Sequence, residues 1–424
     1  MLEKRTKNRS NADQHRNFAF DVVKKLQDKG FIAYWAGGCV RDSLLGQIPK
    51  DYDVATNATP EEIQKTFGRS RTLTIGAAFG VITVLDPPTA RQVEVATFRS
   101  DSQYSDGRHP DAVAFSDPRE DALRRDFTVN GMFFDPITNR IYDYVGGRED
   151  LQSGVIRAIG DPEKRINEDK LRMLRAVRFT AAFDFHLDKP TAIAITAMAR
   201  EIHVVSAERI TAEMRRMLTH SSRSGAMQLL KKTDLLRYVF SEACASDQPT
   251  WQRIIQGLSH LSQESFPLSI ATILNAAGAT SRTDQLYQRW KLANAEKDCI
   301  TWLLKNMGRL WSAHLQNWSS IQPILTDPRI DQLIDWHQAV AKQENQSLKG
   351  VEYCQTKLQL PRNRLDPQPL LTGNDLSSIG IPPGPMYGTI LGELRSSQLD
   401  GLITNFEEAI QLAKHIRSNI CDSE

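Results

Sequence analysis

Cysteine is scarce in this sequence and scattered. Cys39, Cys244, Cys299, Cys354 and Cys421 are the only five in 424 residues, with neither CxxC zinc spacing nor the dense framework of a secreted disulfide protein. A reducing compartment is expected, and the cytoplasm fits best. Long apolar runs are missing too: nothing approaches the ~20 residues that cross a bilayer, and the N-terminal MLEKRTKNRSNADQHR is basic and polar with no apolar signal segment. No membrane partner is expected, and no protein partner is evident. Nor is there an excess of either charge. With 53 Lys and Arg against 51 Asp and Glu the formal net charge is +2, which neither demands nor excludes a polyanionic partner, so local charge must decide. Internal repeats and low-complexity tracts are absent. At 47.8 kDa the chain exceeds what a single hydrophobic core usually serves, and several domains are expected.

Two textures are present. Residues 18–30 place Phe18, Val22, Val23 and Leu26 on one helical face ahead of Gly30, an amphipathic helix with a stop. From FIAYWA to about residue 135 the text is short β-rich runs, DYDVAT, GVITVL and RQVEVATF, broken by Gly, Pro and Asp. This predicts a small mixed sheet carrying helices. After residue 160 strands nearly vanish, and helical periodicity runs through 165–183, 190–203, 207–219 and 224–238 into an all-α remainder. The proline-rich 359–370 and IGIPPGPMYG interrupt it, so a last helical module is expected after about residue 350.

Gly37 and Gly38 follow the first strand and open a helix carrying Arg41, a place where backbone N–H groups and a guanidinium together suit phosphate. Lys50-Asp51-Tyr52-Asp53-Val54 comes next. Residues i and i+2 of a strand point to the same side, so Asp51 and Asp53 can converge on shared cations. Hard cations such as Mg²⁺ take oxygen ligands, and a two-metal arrangement activates a hydroxyl and braces a leaving pyrophosphate. Asp51 and Asp53 are therefore the metal-binding candidates. In RQVEVATF, Glu94 alternates with Val93 and Val95, and it is the candidate third catalytic carboxylate.

At this point GGCVRDSLLGQIPKDYDVAT resembles the signature of the tRNA nucleotidyltransferase class that holds bacterial CCA-adding enzymes and bacterial poly(A) polymerases. FRSDSQYSDGRHPDAVAF, LRRDFTVNGM, YDYVGGREDL, INEDKLRMLRAVRF and SAERI continue in the family's order over residues 30–220, and LTGNDL…GIPPGPMYG resembles its tail. The resemblance implies an α+β, polymerase-β-like nucleotidyltransferase head followed by an all-α body and tail. It also implies two-metal transfer with Mg²⁺, using ATP and CTP as donors and the tRNA 3′ end as acceptor. Arg124 and Arg125 are assigned to the triphosphate, and Asp126 with Asn130 to the sugar and metal region. Alanine is common in the family where Gly131 stands. Ser206, Glu208 and Arg209 match a motif of structural character.

The stretch Arg165–Phe179 is expected to be one helix, in which Arg165, Glu168, Asp169, Arg172 and Arg175 share an arc of about 120°. Asp169 and Arg172, with Arg175 on the same face, are the base-recognition candidates. Cytosine and adenine both present an exocyclic amine beside an unprotonated ring nitrogen, which an acceptor and a donor fork can match. Uracil and guanine reverse that pattern. In the family this is the role taken by the matching EDxxR residues. Arg178 falls beside the apolar arc and is expected to be paired internally. Poly(A)-polymerase members carry paired arginines where this chain has Ile75-Gly76-Ala77-Ala78-Phe79-Gly80, and members that add only the two cytidines lack most of a loop that is full length here, Ser100–Pro110. Addition of CCA, or of its terminal A, is therefore the leading expectation, with poly(A) addition as the alternative. The family's His-Asp phosphohydrolase domain is not expected, since no His-Asp dipeptide occurs. The expected domains are a mobile basic arm (1–17), in which Lys4, Arg5, Lys7 and Arg9 either touch RNA phosphates or merely solubilise, the catalytic head (18–160), a base-recognition neck (161–220), a tRNA-binding helical body (221–350) and a helical tail (351–424).

Overall fold

The computed structural model describes residues 2–101, 113–244 and 247–421. The chain divides into two compact units, Met1–Ser241 and Glu242–Glu424, so the division falls inside the stretch expected as the helical body.

The first unit is built on a mixed sheet of seven strands: β1 (Ala33–Ala36), β2 (Asp53–Thr56), β3 (Thr72–Leu73), β4 (Val81–Asp86), β5 (Arg91–Thr97), β8 (Phe133–Asp135) and β9 (Arg140–Tyr142), with β6 (Arg99–Asp101) and β7 (Val113–Phe115) forming a separate hairpin. The spatial order is β3-β4-β5-β2-β1-β8-β9, and β2 and β5 run parallel with Asp53 opposite Glu94. Period-2 patterning explains the pairing. Val93 and Val95 of β5 are buried while Gln92 and Glu94 are exposed, so a one-residue slip would turn the apolar set to water. Phe98 and Phe133 pack edge to face, 5.7 Å between centroids, with Ala36, Ala55 and Ala122 around them.

Helix α1 (Leu2–Gln27) buries Ala19, Val22, Val23 and Leu26. It starts well before residue 18, so the segment expected as a mobile arm is helical; it contains no Pro or Gly to stop propagation. Beyond its first turns it is tied to the sheet, with His15 Nε2 3.0 Å from the Gln92 carbonyl and Arg16 over the Trp35 ring. The side chains of Lys4, Arg5, Lys7 and Arg9 lie outside the described residues, as does most of the Ser100–Pro110 loop.

The head continues with α2 (Gly38–Leu44), α3 (Pro60–Phe67), α4 (Pro118–Leu123) and α5 (Gly147–Gln152), and the helical part begins with α6 (Pro162–Glu168) and α7 (Arg172–Phe183). The expected single helix over 165–179 is thus two. Asp169 is extended at φ −152, and its Oδ1 accepts the Leu171 N–H at 3.0 Å. A short acceptor side chain bonded to nearby backbone competes with the helical ladder, and the common 120° arc does not survive the break. Helices α8 (Lys189–Met198), α9 (Ala207–Leu218) and α10 (Arg223–Lys232) follow, and Asp234 at φ 62 interrupts the run expected over 224–238.

Among the described residues, the second unit has helices as its only secondary-structure elements. Trp290 and Trp336 are buried in it, and residues 371–416 enclose an apolar cluster of their own that includes Leu376, Ile390 and Ile416. Among the described residues no helix is long and apolar enough to cross a membrane.

Candidate active site

The site is assembled where β1 ends. Gly37 adopts φ 71, and a Cβ there would meet Arg125 Nη1 at 3.0 Å, so conformation and space both demand glycine. The turn delivers Gly38 and α2, whose Arg41 is buried. Its guanidinium donates to Asn130 Oδ1 and Asp42 Oδ1 and lies 4.6 Å from the Phe183 centroid and 5.1 Å from that of Phe179.

Asp51 and Asp53 are exposed while Tyr52 and Val54 are buried, the alternation expected of one polar face. Glu94 joins them from β5. Although the residue as a whole is exposed, protein atoms crowd the Asp53 carboxyl, and this desolvation, then the negative charge of Glu94, pushes it up to about 6; Arg125 pulls the other way and Asp51 adds to the rise. Gathered carboxylates short of counter-charge are a donor set that suits a hard divalent cation. Among the described residues no three His, Cys, Asp or Glu side chains are already grouped as a metal site.

Arg124 and Arg125 leave the C-terminus of α4, and both donate to Asp121, a residue only 1% exposed. Asp126 is fully engaged: Oδ1 accepts from Asn130 Nδ2 (3.0 Å) and the Phe127 N–H (2.8 Å), and Oδ2 from Arg175 Nε (2.8 Å). Burial by itself would raise its pKa, but the Arg175 charge and the Asn130 amide hold it down at about 2. Asp126 and Arg175 therefore brace each other.

On the neck side, Asp169 Oδ2 accepts from Arg209 Nη2 at 2.7 Å. Arg172 donates to Glu168, to the Arg165 carbonyl (2.6 Å) and to the Arg124 carbonyl (3.2 Å). Arg178 pairs with buried Glu213 at 2.6 Å, internal as expected.

One cavity of about 470 Å³ unites these groups, lined by Gly37, Gly38, Arg41, Asp53, Arg124, Arg125, Asp126, Asn130, Asp169, Arg172, Arg175 and Phe179. Asp51 and Glu94 stand outside this lining. A larger groove, about 1090 Å³ between α7, α8 and α10, is walled by Ala192, Ile193, Ala197 and Leu229 and gathers no such set of arginines. Two contributors escaped the sequence analysis: Asp121, whose signal was legible as an acid at i,i+3 and i,i+4 from two arginines, and Phe179, which reads as ordinary core. Arg209 was read only as part of a structural motif, and its bond to Asp169 had no signal because the two are distant in sequence.

A mixed sheet presenting paired carboxylates beside an arginine-lined cavity defines a nucleotidyltransferase. The family profile described as "Poly A polymerase head domain" matches residues 33–157, and "Probable RNA and SrmB- binding site of polymerase A" matches 184–246. The CCA-adding enzyme of Leuconostoc mesenteroides is 30% identical over 404 residues, 92% of this chain and 94% of that one. Poly(A) polymerase I of Haemophilus influenzae is 39% identical over 234 residues, 52% of this chain and 51% of that one. The crystal structure of the Bacillus stearothermophilus CCA-adding enzyme in complex with CTP superposes with a TM-score of 0.76 at 25% identity, covering 97% of this chain and 99% of that one. The chain belongs to the nucleotidyltransferase family of CCA-adding enzymes and bacterial poly(A) polymerases. Enzymes of this kind generally use a divalent metal.

Proposed function

We propose that this chain adds the 3′-terminal CCA, or its terminal A, to tRNA from CTP and ATP, without a template and with release of pyrophosphate, in the cytoplasm. The observation that carries this is the cavity's own composition. Arg41, Arg124, Arg125, Arg172 and Arg175 converge with the acceptor Asp169 on the Gly37-Gly38 turn, beside Asp53. Such a site has charge for a triphosphate at one end and a donor and acceptor for a base at the other.

Asp51 and Asp53 would hold Mg²⁺, with Glu94 as third carboxylate. When bound, Mg²⁺ supplies charge stabilisation at the reacting phosphoryl group and lowers the pKa of the attacking hydroxyl. The arginines hold the triphosphate, supplying preorganised positive charge where negative charge accumulates. Gly37 and Gly38 let the backbone approach it. Arg175 and Asn130 lock Asp126, which keeps the floor of the cavity rigid.

Asp169 retains acceptor capacity beyond the Leu171 N–H and Arg209, and Arg172 retains donor hydrogens beyond those its carbonyl and Glu168 partners use. Together they match the edge shared by cytosine and adenine, and mispair with uracil and guanine. Arg175, committed to Asp126, supports that pair instead of reading the base.

Poly(A) addition is the second reading, favoured by the Haemophilus influenzae match. It is disfavoured by the absence of arginine from Ile75 to Gly80 and by that match's restriction to half of each chain. The deciding experiment offers CTP, ATP or both to tRNA transcripts ending before CCA, after C and after CC. Extension of all three to CCA supports the full activity, extension of the CC transcript alone supports A addition, and long adenosine tails overturn both. Asp53→Asn should extend none of them.

A further inference from the structure

Asp121 lies in α4, three and four residues before Arg124 and Arg125, and does not itself line the cavity. Its Oδ1 accepts from Nε (2.9 Å) and Nη2 (2.6 Å) of Arg124 and from the Arg99 N–H (3.3 Å). Its Oδ2 accepts from Nε (3.1 Å) and Nη2 (2.9 Å) of Arg125. Burial opposes a charge here, yet the Arg125 and Arg124 guanidiniums outweigh it and hold the carboxyl below its ordinary range. A guanidinium gripped along its Nε–Nη2 edge has one orientation left. For Arg125 the remaining nitrogen, Nη1, is the one that faces Gly37 across 3.0 Å of would-be Cβ contact. The same segment also bears on the neck, because the Leu123 carbonyl accepts from Arg165 (2.6 Å) and the Arg124 carbonyl from Arg172 (3.2 Å).

We propose that Asp121 is a positioning residue, which grips Arg124 and Arg125 in the cavity wall so that Nη1 of Arg125 faces the nucleotide triphosphate beside Gly37. This rests on the triphosphate role proposed for those arginines. Without the clamp the two side chains keep their charge but lose their direction, and freedom must be given up again when the nucleotide binds.

The test measures kcat and KM for ATP and CTP in the full chain carrying Asp121→Asn, Arg124→Ala, Arg125→Ala, and Asp121→Asn with Arg125→Ala. Positioning predicts that Asp121→Asn raises KM and lowers kcat/KM by about 10–100-fold, the scale for removing a group that orients a liganding side chain. It also predicts that the double variant loses less than the product of the two singles. A fall in KM would show that Asp121 only neutralises the arginines, and overturns the proposal, as does a fully multiplicative double variant. Should Asp121→Asn lack a cooperative thermal transition, Asp121→Glu replaces it. Positioning then predicts impaired kinetics although the charge is kept, and wild-type kinetics overturn the proposal. If Arg124→Ala and Arg125→Ala leave nucleotide kinetics unchanged, the triphosphate assignment itself is wrong and the proposal falls with it.

Discussion

At the scale of single residues, Gly131 illustrates how a small departure acquires a physical cause. Alanine is common at this position in the family, yet here a Cβ would come within 2.6 Å of Val145 Cγ2 and 3.1 Å of Ile159 Cδ1. Those side chains fill the space that a methyl group would need, so Gly131→Ala should overpack this part of the head and cost about 1–3 kcal/mol. Thermal unfolding should show a lowered midpoint, with part of the loss recovered when Val145→Ala is added. An unchanged midpoint in the single variant would mean the neighbours give way freely. By contrast, the alternation at Asp51–Val54 and Val93–Val95 was legible in advance, because a period of two forces acidic side chains to one face once Val54, Val93 and Val95 are buried.

At the scale of elements, the break between α6 and α7 sets the geometry of the pair proposed to read the base. In a continuous helix Asp169 and Arg172 would be ordinary i,i+3 neighbours. Instead Asp169 leaves the helical ladder, Arg209 of α9 grips it, and Glu168 holds Arg172. If Arg172 reads the base, Glu168, which holds it, should affect nucleotide choice as well. If Asp169 accepts from the exocyclic amine, Asp169→Ala removes a charge-assisted hydrogen bond of about 1.5–3 kcal/mol, and CTP and ATP incorporation should fall roughly 10–150-fold. UTP and GTP should fall far less, so the preference compresses. Relative kcat/KM for the four nucleotides is the measurement, and equal slowing of all four would refute the assignment. The break itself was not legible, because the choice of Asp169 between local backbone and helix depends on Arg209, a partner that no local pattern announces.

At the scale of the molecule, the second unit carries a buried titratable group of its own. His337 is 0% exposed; its Nδ1 lies 2.8 Å from the Leu333 carbonyl, and its Nε2 accepts the Gly308 N–H at 3.1 Å. Protonation would set two donors against each other at Nε2. Burial pushes the imidazole down to about 4, against the smaller opposing effect of the Leu333 bond. The folded pKa lies below the unfolded one, so the unfolded chain takes up the proton first as pH falls. The contribution is complete above about pH 6.5 and is lost towards pH 4, on the order of 3 kcal/mol in all. Trp251, Trp290, Trp302, Trp311, Trp318 and Trp336 lie in this unit, with only Trp35 outside it, so tryptophan fluorescence reports its unfolding. His337→Phe should flatten the loss of stability between pH 6.5 and 4.5 relative to wild type, and parallel curves for the two proteins would exclude the histidine as the cause.

The sequence alone determined the elements whose identity follows from local periodicity and local chemistry: the strand alternation that pairs Asp51 with Asp53, the glycine turn before Arg41, and the motif order that marks the family. Each depends on residues close together in the chain, where steric rules and side-chain period leave few options. Tertiary structure decided which charges are spoken for. Arg175 is held by Asp126, Arg124 and Arg125 are each gripped along one edge by Asp121, Asp169 is partly engaged by Arg209, and Arg178 is paired with Glu213. Whether a charged side chain faces a ligand or a partner is settled by distance and burial between segments far apart in sequence. A carboxylate placed within 3 Å of a guanidinium in a buried site outcompetes water, and no spacing rule along the chain can specify that proximity.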